Sequence, residues 1–228
     1  MVRRIQVYAD GADLASMAAL AGKCDGFTTN PSLMKKAGVT DYQKFGIDVL
    51  AAVNGKPVSF EVFYDDLAGM ERQAREIANW GANVFVKIPI TNTLGESTCP
   101  LIERLAFDGI KINVTAVFTK DQARGAVDAI GNHPGIVSIF AGRIADTGRD
   151  PARIMRSVRA KIGALPVQLL WASAREVYNV VQADECGCDI ITLSPELIAK
   201  LDGFGRDLAE YSLATVKQFK RDSEGLTL

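Results

Sequence analysis

The chain predicts a single (β/α)₈ barrel domain over residues 1–228, with an additional C-terminal helix at about 204–220. Three observations predict it. Eight short apolar runs of strand length recur along the chain. Amphipathic segments separate them, and strict strand-helix alternation implies right-handed crossovers into a parallel sheet, which closes at eight repeats. An open doubly wound sheet is the rival, but its glycine-rich fingerprint is missing, since DGADL at 10–14 lacks the GxGxxG spacing.

In chain order, the strands fall at 5–10, 26–29, 58–63, 83–89, 110–115, 136–140, 167–172 and 190–193. Helices are expected between them, among others at 67–80, 120–130, 151–162 and 174–183, with Asp66 and Asp150 as N-caps. The tail at 204–219 is amphipathic, with Phe204, Leu208, Tyr211, Val216 and Phe219 on one side. It either caps its own barrel or docks on a neighbouring subunit.

The fourth strand is the informative one. NVFVKIPI at 83–90 is a continuous apolar run interrupted by Lys87, and a charged group in a strand covered on both faces loses its hydration. Either the lysine ends the strand and reaches for water along its aliphatic stem, or its amine is kept out of water to attack a carbonyl and form a Schiff base.

Parity favours the second reading. Side chains alternate along a strand, so Val84, Val86 and Ile88 face the helices while Lys87 faces the barrel axis. The same split sets Val7 and Ala9 against Asp10, Phe60 and Val62 against Glu61, and Ile112 and Val114 against Asn113 and Thr115. On the sixth strand Val137 and Ile139 oppose Ser138 and Phe140. Polar groups converging from several strands onto one barrel mouth are what an active site requires.

Composition excludes other classes. Lys plus Arg number 26 against 27 Asp plus Glu, so the basic footprint of nucleic-acid binding is missing. Hydrophobic residues make up 48% and charged residues 23%, an ordinary globular balance. No run approaches transmembrane length, and the opening residues carry neither an apolar h-region nor a small-residue cleavage site. No membrane association and a cytoplasmic location are therefore expected. Cys24, Cys99, Cys186 and Cys188 lack CxxC spacing and His133 is the only histidine, so the cysteines are read as reduced thiols and no metal site is expected.

The segments GFTTNPSL, VKIP, INVTAVFT, SIFAGRIAD and ASARE resemble, in this order, the signature segments of the transaldolase family. The short chain is similar to the compact branch that includes the fructose-6-phosphate aldolases. This resemblance implies a (β/α)₈ barrel, a Schiff-base lysine on the fourth strand, no metal or organic cofactor, sugar phosphate substrates and a place in the pentose phosphate pathway.

Carried over residue by residue, it makes Lys87 the amine that condenses with the C2 carbonyl of a ketose phosphate. Asp10 becomes the base for the C4 hydroxyl; a helix N-cap is its structural alternative. Glu61 shuttles protons through a water held also by Thr115; the alternative is an ion pair that keeps Lys87 charged. Thr28, Asn30, Asn113 and Ser138 resemble the residues that hold the dihydroxyacetone unit, although Asn30 before Pro31 also suits a turn. Arg143, Ser173 and Arg175 match the phosphate site.

The resemblance also separates transferase from lyase. Glu61 stands where the aldolase relatives carry glutamine, and Phe140 where they carry a tyrosine whose hydroxyl can help protonate the carbanion. Transaldolase is thus the first reading, a dihydroxyacetone-releasing aldolase or a specialised sugar-pathway transaldolase the alternatives. A catalytically silent phosphosugar-binding barrel is the non-enzymatic alternative. The chain departs from the family pattern at DGADL, at Ala174 and at Trp171, which shares the parity of Ser173 and is expected to narrow the pocket. A homo-oligomer, pentamer or decamer, is also implied.

Overall fold

The computed structural model describes residues 5–227. Its core is the set of eight runs rich in Val, Ile and Phe: β1 (Gln6–Asp10), β2 (Gly26–Thr28), β3 (Val58–Glu61), β4 (Val84–Pro89), β5 (Ile112–Val117), β6 (Gly135–Ile139), β7 (Val167–Trp171) and β8 (Ile190–Leu193). All neighbours pair in parallel, and β8 returns to β1, so the sheet closes as a barrel. Helices occupy every crossover: α1 (Leu14–Leu20), α2 (Pro31–Lys36), α3 (Tyr42–Ala52), α4 (Leu67–Ala78), α5 (Cys99–Phe107), α6 (Lys120–Ile130), α7 (Ala141–Ala145), α8 (Ala152–Ile162), α9 (Asn179–Glu185) and α10 (Pro195–Lys200). A 3₁₀ turn at Leu201–Gly203 leads towards the last helix, α11 (Leu208–Asp222). No helix among the described residues is long and apolar enough to cross a membrane.

Alternation along the strands builds two apolar layers. Val7, Val58, Phe60, Val84, Val86, Ile88, Val114 and Val137 point outward and join the buried layer beneath the helices. The opposite parity forms a smaller inner cluster of Tyr8, Ile136, Leu170, Ala172 and Ile190, with Phe85 and Phe140 against it. Tyr8 fills this floor so closely that a Cβ at Gly26, its neighbour in register, would stand 2.6 Å from the ring. The barrel is therefore packed through its lower half, and polar residues are left for the mouth.

Local chemistry sets the boundaries. Asp66 caps α4 by accepting from Gly69 N at 2.7 Å, and Thr119 with Gln122 forms a capping box on α6, each such cap being worth about 1 kcal/mol. Asp150 is not the N-cap of α8. Pro151 takes that place, and the Asp150 carboxylate instead accepts from Ala152 N at 2.9 Å.

Three other expectations shift. β3 ends at Glu61, and Phe63 N is taken by the Gln73 side chain at 2.6 Å. α9 begins at Asn179 rather than 174, because the Asn179 side chain accepts from the backbone of Arg175 and Glu176 and Ser173 sits at φ 63°. α11 begins at Leu208, since Gly205 at φ 77° cannot continue a helix and Asp207 supplies the cap.

Candidate active site

Lys87 lies one residue pair from the end of β4, opposite Glu61 on β3 and Asn113 on β5. Its side chain is inward and only 7% exposed. Nζ donates to the Thr29 carbonyl at 2.7 Å and pairs with Glu61 Oε2 at 3.1 Å. An ammonium has three donor positions, so one is left without a protein partner. Glu61 is itself held by its backbone, whose carbonyl accepts from Tyr42 Oη at 2.9 Å.

Around Lys87 opens a cavity of about 80 Å³, room for a few water-sized groups. Asp10, Thr28, Asn30, Thr115, Ser138, Phe140, Arg143 and Ser173 line it. Five strands, β1, β2, β5, β6 and β7, or the turns after them supply these side chains, with Lys87 from β4, so the convergence read from parity is present in space. Asp10 ends β1 and accepts from Thr28 Oγ1 at 3.0 Å. It does not cap α1, whose cap is Asp13. Burial pushes the Asp10 carboxyl above the usual carboxylate range, with the Lys87 charge and the Thr28 hydrogen bond opposing and Glu61 adding to it.

A second polar set lies beside Lys87. Ser138 Oγ donates to Asn113 Oδ1 at 2.7 Å, and Asn113 Nδ2 donates to Ser59 Oγ at 3.0 Å. Asn113 is fully buried, so this chain fixes which way its amide points. Thr115 Oγ1 is also buried and has no protein hydrogen-bond partner. The residue after it, Ala116, adopts φ 56° where β5 slips register against β6, a bulge of the kind that re-aims side chains beside active sites. Asn30 caps α2 by accepting from Leu33 N at 3.0 Å, so it serves the turn and faces the cavity at once.

The outer end of the cavity is cationic. Arg143 stacks over the Phe140 ring at 5.1 Å. Ser173 sits in the left-handed region, and its carbonyl approaches Gly142 so closely that a Cβ there would lie 1.6 Å away. Arg175 is elsewhere: its guanidinium forks onto Asp146 at 2.5 and 3.2 Å and does not line the cavity.

Two residues escaped the sequence reading. Ser59 orients Asn113, and Thr192 on β8 lines the cavity beside Thr28. Both share the inward parity of their strands, which was the available signal. Trp171 is a correction. It is 1% exposed and packs in the outer layer with Val167 and Leu169, while Leu170 and Ala172 face the cavity. Parity shared with Ser173 misleads because the strand ends at Trp171 and Ser173 has turned to positive φ.

Fold and site together define a (β/α)₈ barrel with an inward, carboxylate-paired lysine near the C-terminal end of its fourth strand. Comparison with known proteins narrows this class. Residues 7–227 match the family model described as Transaldolase/Fructose-6-phosphate aldolase, and the chain belongs to that family. It is 35% identical over 195 residues to a "Probable transaldolase" of Methanococcus maripaludis, covering 85% of this chain and 86% of the relative. A "Probable transaldolase" of Roseiflexus castenholzii is 37% identical over 192 residues, 82% of this chain and 85% of the relative. Among solved structures, a designed cube-shaped protein cage has a TM-score of 0.62 at 12% identity, covering 97% of this chain and 80% of the cage chain, a likeness of fold alone.

Proposed function

We propose that the protein is a transaldolase that moves a dihydroxyacetone unit from a ketose phosphate, fructose 6-phosphate or sedoheptulose 7-phosphate, to an aldose phosphate through a Schiff base on Lys87. The observation that carries this reading is the placement of Lys87 Nζ, buried in register with Glu61 and opening onto a cavity edged by Asp10.

Lys87 gives a proton to Glu61 and attacks the C2 carbonyl as the neutral amine, and Glu61, with a water held also by Thr115, moves the protons as the carbinolamine loses water. Asp10 takes the C4 hydroxyl proton. The O–H electron pair becomes the carbonyl of the departing aldose phosphate, and the C3–C4 pair moves into the protonated imine. The resulting enamine waits on Lys87 for an acceptor aldehyde. Thr28, Asn30, Asn113 and Ser138 hold the three-carbon hydroxyls, and Arg143, Ser173 and Arg175 bind the distal phosphate. For Arg175 to take part, phosphate has to displace Asp146 from its guanidinium.

Retention rather than release of the enamine is supported by Phe140, which offers no hydroxyl to protonate the carbanion. The exposed Leu208, Tyr211, Val216 and Phe219 of α11 support a homo-oligomer, pentamer or decamer, since α11 buries none of its side chains here. A monomeric mass by light scattering overturns that part. Charged sugar phosphates do not cross membranes unaided, which favours the cytoplasm and a role in the pentose phosphate pathway.

The test is to incubate the protein with fructose 6-phosphate, reduce with borohydride and map the adduct by mass spectrometry, with and without erythrose 4-phosphate. A dihydroxyacetone-sized adduct on Lys87 that the acceptor depletes is the expected result. Free dihydroxyacetone without acceptor indicates a lyase. An unmodified Lys87 overturns the Schiff-base reading for this donor.

A further inference from the structure

At the seam where β8 meets β1, Thr192 stands opposite Tyr8, lines the cavity and is 6% exposed. Its Oγ1 lies 2.6 Å from Thr28 Oγ1, and Thr28 Oγ1 donates to Asp10 Oδ1 at 3.0 Å. Direction follows from counting hydrogens. An ionised carboxylate only accepts, and each threonine hydroxyl carries one hydrogen. Once Thr28 has given its hydrogen to Asp10, Thr192 has to be the donor in the 2.6 Å contact.

We propose that Thr192 is a positioning residue for cleavage: it donates to Thr28, aims the Thr28 hydroxyl at Asp10 and so favours the ionised, proton-accepting form of that carboxylate. The inference rests on the reading of Asp10 as the base. When Asp10 takes the substrate's hydroxyl proton on Oδ1, the new O–H donates to Thr28 and Thr28 to Thr192. Both threonine hydrogens rotate, and no bond in either hydroxyl breaks. The chain thus serves the acid and the base form of Asp10 without a water or a second titrating group.

The charges around Asp10 stay outside this chain. Lys87 and Glu61 face it across the barrel from β4 and β3. A neighbouring groove that also reaches Asp10 is edged by Asp13 of α1, Lys36 of α2 and Glu196 of α10. Arg143 lines the site cavity. Substituting Thr192 alters none of them, so a change in Asp10 titration reports on the hydroxyl chain.

The experiment follows the Asp10 carboxyl by carbon NMR titration in the full-length protein and its Thr192→Val and Thr192→Ser variants, beside pH profiles of ketose phosphate cleavage. Valine keeps the shape and removes the donor; Thr192→Ala takes its place should valine disturb the seam. In Thr192→Val the Asp10 midpoint is expected to rise by about half a unit, and the acid limb of kcat to move with it. Turnover falls roughly three- to tenfold with KM little changed, as the loss of one hydrogen bond predicts. Serine restores the midpoint. An unmoved midpoint in Thr192→Val overturns the proposal. A moved midpoint with cleavage intact, both there and in Asp10→Asn, confirms the hydrogen-bond chain but removes Asp10 as base, and the positioning role falls with it.

Discussion

Lys87 and Glu61 are register partners across β3 and β4, and their charged ends meet at 3.1 Å inside the barrel. The register makes the contact: two inward residues of adjacent parallel strands cannot avoid each other once both point at the axis. In the proposed cycle the same pair is a resting state and a reagent, because the carboxylate nearest the amine is the group placed to move its protons.

Glu61→Gln keeps the shape and removes the charge. We expect adduct formation on Lys87 to slow by about 10²-fold, the lower end of what positioned acid-base groups contribute. Stopped-flow mixing with donor sugar followed by borohydride quench measures it. Adduct formation at the parent rate sinks the shuttle role.

Asp10→Asn should remove cleavage and raise thermal stability at neutral pH. Burial holds the Asp10 carboxyl above its usual range, so the folded state binds this proton more tightly than the unfolded chain. Stability therefore falls as pH rises from the ordinary carboxylate range through the raised value, so this carboxyl is a net burden on the fold above that range. Asparagine has no such window. Calorimetry should show a higher Tm at pH 7, about 2 to 4 °C per kcal/mol relieved, with the difference fading in acid. A lower Tm at pH 7 contradicts it.

Phe140→Tyr adds a hydroxyl at the cavity wall, under the Arg143 guanidinium. With a proton donor beside the enamine, free dihydroxyacetone should appear without acceptor, at least about tenfold above the parent rate if even a weak general acid forms. A coupled reductase assay follows it. Unchanged partition assigns enamine retention to some other feature.

Trp171→Ala should leave the acceptor range as it was and destabilise the protein by about 3 to 5 kcal/mol, because the indole fills the outer layer rather than the cavity. Urea unfolding and an acceptor panel separate the two effects. A widened panel in a protein of parent stability would place Trp171 back in the site.

Much of this molecule was legible in its sequence, because strand alternation is a local property. The eight strands, the outward Val84, Val86 and Ile88 and the inward Lys87 follow from a period of two residues that each strand obeys by itself. The inward direction of Asp10, Asn113, Thr115 and Ser138 was legible for the same reason.

Tertiary structure decided what lies beyond a strand's end or between strands. Trp171 and Ser173 share parity, yet a positive φ at Ser173 turns the chain and the rule no longer carries. The helix expected from 174 waits for Asn179, whose side chain claims the backbone donors of Arg175 and Glu176. Arg175 meets Asp146 instead of the cavity, across a loop contact no period encodes. Thr28 and Thr192 are 164 residues apart, and only closure of β8 onto β1 brings their hydroxyls to 2.6 Å. Local sequence sets which way a side chain points, while barrel closure sets what it meets.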